Sequence, residues 1–420
     1  MHYFYPTPEH VVDKIIKKHA PRKFISLLDP SIGDGALITG VNTSDKEITC
    51  VDIDICRLNQ SREALRCNSV NLLHGDFLEI DFGDYRYDFI VCNPPFDGRN
   101  QVLSGNKKIP IEASFLLKSM KLCSENGRMI FILPSSVTRG SRLKWFRELV
   151  LNEFNLSYSY KLPSYTFNKV EGDFSVLVFD KKNIKTRTIL RSENAELIVK
   201  DVGKFSKTFS FDAKELISLN NYEKLIGFEK LQIIPFSNLI DIQRGSVKSN
   251  YKQEGVLHTT NINIKHASSN LKNEKITITK GDWVIKRVSR DLASSLKEYI
   301  GCDILFTDCI LRLRARKKTQ SDEVFFALIV MFQLIDFRTL IIKGSGAKYL
   351  DVTAMKEIGL PISLAALFQE EFNVFKNGTE NERSEIARRV SFLLKNISMD
   401  SLDLNVSARY ENPNKFSIYV

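Results

Sequence analysis

Between residues 8 and 179 the chain alternates short apolar runs of strand character with stretches whose apolar residues fall at helical spacing. The strand-like runs are 24–28, 48–53, 71–73, 89–92, 128–133 and 175–179; the helical ones are 8–19, 57–67, 111–123 and 143–152, with a glycine-bounded turn into a helix at 33–40. Strand, helix and next strand pack compactly when the strands lie parallel and the helix crosses over one face. The expected fold class is therefore α/β: a doubly wound, mostly parallel sheet.

From about Lys181 the pattern changes. Residues 185–235 are mixed and charged without a clear period and read as a connecting or accessory segment. Beyond Phe236 come short strand-like runs with glycine turns (241–245, 276–278, 281–285 and 310–313), then helical stretches at 323–334, 365–375 and 383–396, as in a second, α+β domain. The expected division is 1–184, 185–235 and 236–420. The apolar run 324–332 is too short to span a bilayer and reads as a buried helix. The amino terminus lacks the basic and apolar regions of a signal peptide, so a cytoplasmic protein without membrane contact is expected.

Hydrophobic residues make up 43% and charged residues 26%, as in ordinary globular proteins. The net charge of +10 favours a polyanionic partner such as nucleic acid. Seven Cys and six His form neither a CxxC pair nor a cluster at ligand spacing, so no metal is expected, and Cys50, Cys56, Cys67, Cys92 and Cys123 read as reduced, mostly buried residues.

The chemistry-bearing residues stand at strand ends, where open α/β sheets place their ligand crevices. Asn93-Pro94-Pro95-Phe96 follows the run Tyr87 to Cys92. It offers a side-chain amide, backbone carbonyls and an aromatic face, a set that can accept hydrogen bonds from a planar amino group and cover its ring. Upstream, Asp29-Pro30-Ser31-Ile32-Gly33-Asp34-Gly35 leads from a strand into a helix. Gly33 and Gly35 allow close backbone approach to a ligand, and the helix start favours an anionic group. Asp52 ends the second strand where an acid binds a ribose diol, with Asp54 as the competing choice. After the third strand, Asp76 can accept from an adenine amino group and Phe77 can cover the adenine face. A nicotinamide cofactor also needs a glycine loop and an acid, but the loop lacks the G-x-G-x-x-G spacing and hydride transfer has no use for Asn93 to Phe96. S-adenosylmethionine accounts for all four motifs.

In this order the motifs resemble those of the N6-adenine DNA methyltransferases whose recognition domain follows the catalytic one. The resemblance covers most of residues 1–180. It implies a Rossmann-like methyltransferase sheet, with Tyr5 to Val12, Thr7 among them, lying over the methionine part of S-adenosyl-L-methionine. Asp29, Ser31, Gly33 and Gly35 would form the donor loop, Asp52 would hold the ribose, Asp76 and Phe77 the adenine, and Asn93 would border the donor. Ile32 and Asp34 stand where relatives more often carry small or uncharged residues, and Leu37 where an aromatic is common. The target adenine would be flipped out of the duplex and stacked on Phe96, its amino hydrogens accepted by the Asn93 side chain and the Pro94 carbonyl. Transfer would be direct and in line. A second stacking aromatic lies just before the last sheet strand in the family; Phe167 is the candidate here, Phe174 the less favoured one. A cytosine-C5 mechanism needs a Pro-Cys nucleophile, and the chain contains no such dipeptide.

In the second part, 281–285, 344–350 and 357–362 resemble segments of target-recognition domains. Basic residues near them, among them Arg244, Lys248, Lys286, Arg287, Arg312 and Arg314, are candidate contacts to DNA phosphates or guanine edges. The expectation is a site-specific adenine-N6 methyltransferase for double-stranded DNA, the modification component of a restriction-modification or defence system, with a cognate nuclease as a separate protein. Two alternatives stay open: a related methyltransferase for protein glutamine or ribosomal RNA, and a catalytically silent DNA-binding subunit.

Overall fold

A computed structural model describes residues 5–65, 70–96, 101–104, 107–167, 172–184, 186–200, 209–227, 231–248, 256–262, 276–344 and 347–400. Two compact units divide between Ile217 and Ser218. In the first, the strands are β1 (Ser26–Asp29), β2 (Glu47–Asp52), β3 (Val70–His74), β4 (Tyr87–Cys92), β5 (Gln101–Ser104), β6 (Lys107–Pro110), β7 (Cys123–Pro134), β8 (Phe154–Lys161), β9 (Phe174–Lys181), β10 (Thr188–Ser192) and β11 (Ala195–Val199). Nine of them form one sheet in the order β11-β10-β8-β9-β7-β4-β1-β2-β3; β5 and β6 pair as a separate hairpin.

β3, β2, β1, β4 and β7 run parallel, and β9 lies antiparallel between β7 and β8. Chain order reverses between β1 and β4, so the crevice beyond their carboxyl ends is a topological switch point. That edge holds Asp29 (end of β1), Asp52 (end of β2) and Asn93 (just past β4). Every residue of β1 is buried, as are Met129 to Leu133 of β7. A strand covered on both faces reads as a continuous apolar run, which is why these strands are plain in the sequence.

The helical stretch 9–19 contains a π-helical segment, Val12–Ile16, and buries Val11, Val12, Ile15 and Ile16. Asp54 caps the helix Ile55–Leu65 by accepting from the Cys56 backbone N–H at 2.9 Å. The helix Ile111–Leu122 buries Phe115, Leu116 and Met120 as its spacing predicted. Part of the segment expected to connect the domains belongs to this sheet: β10 pairs parallel with β8, and β11 closes the edge antiparallel to β10. The division itself falls inside the helix Ala213–Ile226.

The second unit contains a four-stranded sheet in the order Ile240–Arg244, Ile310–Ala315, Trp283–Lys286, Lys297–Glu298, and a three-stranded one from Val288–Ser289, Lys348–Leu350 and Ile342–Lys343. The helix Ser321–Gln333 buries Val324 to Phe332 throughout, as expected from that run. Trp283 stacks on Phe325 at 4.9 Å, fixing the sheet to this helix. The long helix Glu380–Asp400 starts with a reciprocal cap: Glu382 accepts from the Thr379 N–H at 2.7 Å, and Thr379 Oγ1 accepts from the Glu382 N–H at 3.4 Å. Among the described residues, no single helix is long and apolar enough to cross a membrane. Cys50, Cys92 and Cys123 are buried, whereas Cys56 is exposed; Cys67 lies outside the described residues.

Candidate active site

Asn93 leaves β4 half-buried, and two successive prolines follow it. Prolines lack an N–H and hold the residue before them extended, so the turn presents carbonyls and no competing donors. Ser31 Oγ donates to the Asn93 backbone oxygen at 3.1 Å, tying the turn to the glycine loop. Asn93 Nδ2 donates to Thr7 Oγ1 at 3.0 Å and to the Tyr5 carbonyl at 3.3 Å. Its other end, Oδ1, is buried and without a hydrogen-bond partner among the described residues. An unpaired buried acceptor costs about 1–3 kcal/mol, so its persistence at a strand end marks a place where a donor is to be received.

Phe96 sits among three rings. Phe174 is 4.6 Å from it, Phe167 meets it edge-on at 5.9 Å and 69°, and Tyr5 lies at 6.0 Å, tilted by only 31°. Phe167 is 5% exposed and also packs on Phe174 at 4.8 Å. The structure thus gathers Phe96 with both sequence candidates for the second stacking ring. With Phe96 and Phe167 edge-on, a base can lie between them only after one ring turns. Asn168 to Glu171 lie outside the described residues.

The glycine loop is built around buried carboxyls. Gly33 and Gly35 have φ of 56° and 83°, the left-handed region that glycine enters without a Cβ penalty. Asp52 Oδ2 accepts from the Gly33 N–H at 2.9 Å and its Oδ1 from the Asp54 N–H at 2.9 Å, so this acid shapes the loop it borders. Asp54, as the cap of the helix Ile55–Leu65, has a structural task. Asp29 is fully buried; its Oδ1 accepts from the Ser31 N–H at 3.0 Å, and its Oδ2 has no partner among the described residues. Burial pushes its pKa up to about 8, the Ser31 N–H opposes that, and the charges of Asp52 and Asp34 add to it. Asp34 is exposed and accepts from the Ala36 N–H at 3.2 Å at the helix start, while Ile32 and Leu37 are buried in the core.

Asp76 is half-buried, and its Oδ1 accepts from the Leu78 N–H at 2.8 Å. Phe77 is 2% exposed; its ring packs on Phe115 at 5.0 Å and Phe82 at 5.7 Å, with Lys118 Nζ 5.1 Å from its centroid. In this state Phe77 is a core residue, and Phe115 and Lys118 are neighbours that sequence reasoning did not assign.

Of the basic candidates in the second unit, Lys248 is exposed, Lys286 and Arg287 are half-buried, and Arg244 is 51% exposed while paired with Asp308 at 2.7 Å. Two of the group have internal work. Arg312 is 5% exposed, donating to the Thr277 carbonyl at 2.8 Å and to Asp241 at 3.1 Å. Arg314 pairs with both oxygens of buried Asp282 at 2.6 Å. These contacts give both guanidiniums a cross-linking task in the sheet; Arg312 is too buried to reach DNA, which corrects its assignment, whereas Arg314 is 41% exposed and stays a candidate contact.

The chain is 22% identical over 251 residues to the type II methyltransferase M.AccI of Acinetobacter calcoaceticus, covering 52% of this chain and 46% of that protein. It is 28% identical over 122 residues to the tRNA1(Val) (adenine(37)-N6)-methyltransferase of Vibrio vulnificus, covering 26% and 51%. Among solved structures, the type IIG restriction endonuclease BpuSI matches with a TM-score of 0.46 at 13% identity, over 95% of this chain and 66% of that one. The chain spans about half or less of the length of the curated relatives it matches. Residues 34–167, which hold the end of the glycine loop (Asp34 and Gly35), Asp52, Asp76 and the Asn93 to Phe96 turn, match the Eco57I restriction-modification methylase family, enzymes of the kind that the motifs resemble.

Proposed function

We propose that this chain is a restriction-modification-type DNA methyltransferase that uses S-adenosyl-L-methionine to methylate N6 of a flipped adenine. The observation that carries the reading is Asn93: a side-chain carbonyl oxygen buried and unpaired at the switch point of the sheet, beside Phe96. An exocyclic amino group has the donors to satisfy it. The Asn93 and Pro94 carbonyls would accept the two amino hydrogens and so withdraw the nitrogen lone pair from ring conjugation, while Phe96 holds the plane of the base. Their contribution is positioning, strongest as charge develops on the nitrogen.

The residues around the glycine loop fit the donor. S-adenosylmethionine carries a sulfonium and an ammonium and would supply an electrophilic methyl group. Around the loop stand the acids Asp29, Asp34 and Asp52, Asp29 with an unpaired buried oxygen. Thr7, Asp29, Ser31, Gly33, Gly35 and Asp52 would hold the amino-acid and ribose parts, and Asp76 the adenine, with Phe77 beneath it. Double-stranded DNA as substrate is supported by the net charge of +10, the family match and the exposed Lys248 and Arg244 in the second unit. A separate nuclease partner and a cytoplasmic location accord with this reading.

Similarity to a tRNA adenine methyltransferase favours RNA as a second reading, but it extends over 26% of the chain and leaves the second unit without a task. Single-molecule sequencing of genomic DNA from a methylation-free host expressing the chain separates the two. N6-methyladenine at one short sequence, absent with Asn93→Ala, is expected. Modified RNA with unmodified DNA would transfer the reading to RNA, and near-normal DNA methylation by Asn93→Ala would remove Asn93 from the mechanism.

A further inference from the structure

A side-chain amide is almost symmetric in shape. Turning it by 180° costs little sterically but exchanges an acceptor for two donors. Facing an amino group, one orientation of Asn93 is productive and the other sets N–H against N–H. Some feature of the protein therefore has to select the orientation. The backbone of Asn93 is anchored by Ser31 Oγ at 3.1 Å, which leaves the side-chain torsions free.

We propose that Thr7, with the Tyr5 carbonyl beside it, is the positioning residue that selects which end of the Asn93 amide faces the incoming amino group. The role rests on the methyl-transfer reading above. Both hydrogens of Nδ2 have acceptors, Thr7 Oγ1 at 3.0 Å and the Tyr5 carbonyl at 3.3 Å. A carbonyl only accepts, so the reversed amide would set Oδ1 against the Tyr5 oxygen. Thr7 provides the shorter bond. It is 8% exposed and β-branched, so burial fixes its rotamer and holds Oγ1 against Nδ2; its O–H can still turn, so the Tyr5 carbonyl is the partner that excludes the reversed amide. With both Nδ2 hydrogens taken, Oδ1 is the end left unpaired. The contact joins residues 86 apart in the sequence, so it is a tertiary device and not a by-product of the turn. The segment over the glycine loop and the residue that receives the target are then one unit.

Two substitutions in the full chain separate positioning from packing. Thr7→Val keeps size and branching but removes the acceptor; Thr7→Ser keeps the acceptor and removes the methyl. In the chain labelled with 15N-asparagine, the Asn93 side-chain NH2 pair is identified by its absence in Asn93→Ala. Its hydrogens are expected to exchange slowly in the unaltered chain and in Thr7→Ser, and faster in Thr7→Val. With DNA and S-adenosylmethionine, Thr7→Val is expected to lower kcat about 10- to 100-fold, with KM for DNA unchanged, while Thr7→Ser retains kcat. Unchanged amide exchange in Thr7→Val overturns the proposal whatever the activity. Unchanged kcat in Thr7→Val, with Asn93→Ala inactive, overturns the positioning role and leaves the methyl-transfer reading standing. A Thr7→Ser chain as impaired as Thr7→Val assigns Thr7 to packing. An unaltered chain that transfers nothing overturns the reading and the role with it.

Discussion

Asp29 shows what a binding site costs a single residue. Its carboxyl is fully buried with one oxygen unpaired, and its pKa is about 8. That is above the unfolded value of about 3.9. The stability tied to this group is therefore full below pH 4 and lost as pH rises through 8, because the unfolded chain ionises first. Asp29→Asn keeps the acceptor for the Ser31 N–H and cannot ionise. It should raise the stability of the free protein at pH 7 by about 1 kcal/mol or more, with a gain that grows between pH 4 and 8, and should weaken donor binding. Thermal melts across that range with calorimetric titration of S-adenosylmethionine check both; a variant no more stable, or one that binds as tightly, rules out this account. At this scale the sequence singled out candidate residues, since glycines, strand-end acids and Asn93 to Phe96 stand in recognisable order, and the structure brings Asp29, Asp52 and Asn93 to one edge of the sheet. The sequence did not show what each touches. Arg312 meets Asp241 at a separation of 71 residues, Arg314 meets Asp282 at 32, and Asn93 meets Thr7 at 86; one-dimensional spacing carries no trace of such pairs.

Among the elements, strands that are continuous apolar runs were legible, and strands interrupted by polar residues were not. β10 and β11 alternate more and less buried positions, and polar residues such as Arg191 and Glu196 interrupt their apolar ones. β8, inside the sheet, is also interrupted by Ser157, Ser159 and Lys161; Ser159 is buried and donates to the Phe211 carbonyl at 2.6 Å. The polar end of β8 secures the next element. Lys161 Nζ lies 3.2 Å from Asp212, which caps the helix Ala213–Ile226 through the Glu215 N–H at 3.0 Å. Burial pushes the Asp212 pKa up, but Lys161 and then Arg139 outweigh it and hold the pKa at about 2. This folded-state value is depressed, so its contribution is present above about pH 4 and lost as pH falls through 2. Denaturant unfolding should show a loss on the order of 2 kcal/mol between those limits, and the dependence should be shallower in Asp212→Asn; an equal slope in the two would show the pair is not coupled to folding. Gly245 makes the same argument for the strand Ile240–Arg244. A Cβ there would meet the backbone oxygens of Phe306 and Thr307 at 2.2 Å. Gly245→Ala should destabilise the second unit by about 1–3 kcal/mol, read as a lowered melting transition; an unshifted transition means the two strands part freely.

For the molecule as a whole, the two-unit division would make chemistry and sequence choice separable under the proposed function. The Asn93 turn, the glycine loop and the Phe96 ring cluster all lie before Ile217, and the exposed basic residues assigned to DNA lie after Ser218. The helix that crosses the division is capped by Asp212 in the first unit, so a chain ending after Gly227 keeps it whole. Such a chain should bind S-adenosylmethionine as the full protein does. On DNA it should retain only the phosphate-driven, salt-sensitive attraction common to basic surfaces, losing about 10³-fold or more in affinity for the cognate sequence. In the full chain, Lys248→Ala and Lys286→Ala should each reduce the slope of log affinity against log salt by about 1 while leaving the methylated sequence unchanged. Arg312→Ala should instead lower the melting temperature, since it removes a buried guanidinium that bonds the Thr277 carbonyl and Asp241. Calorimetry for the donor and fluorescence anisotropy on cognate and scrambled duplexes distinguish the cases. If the shortened chain still preferred one sequence, readout would have to reside in the methyltransferase unit, and the second unit would need another explanation for its basic face.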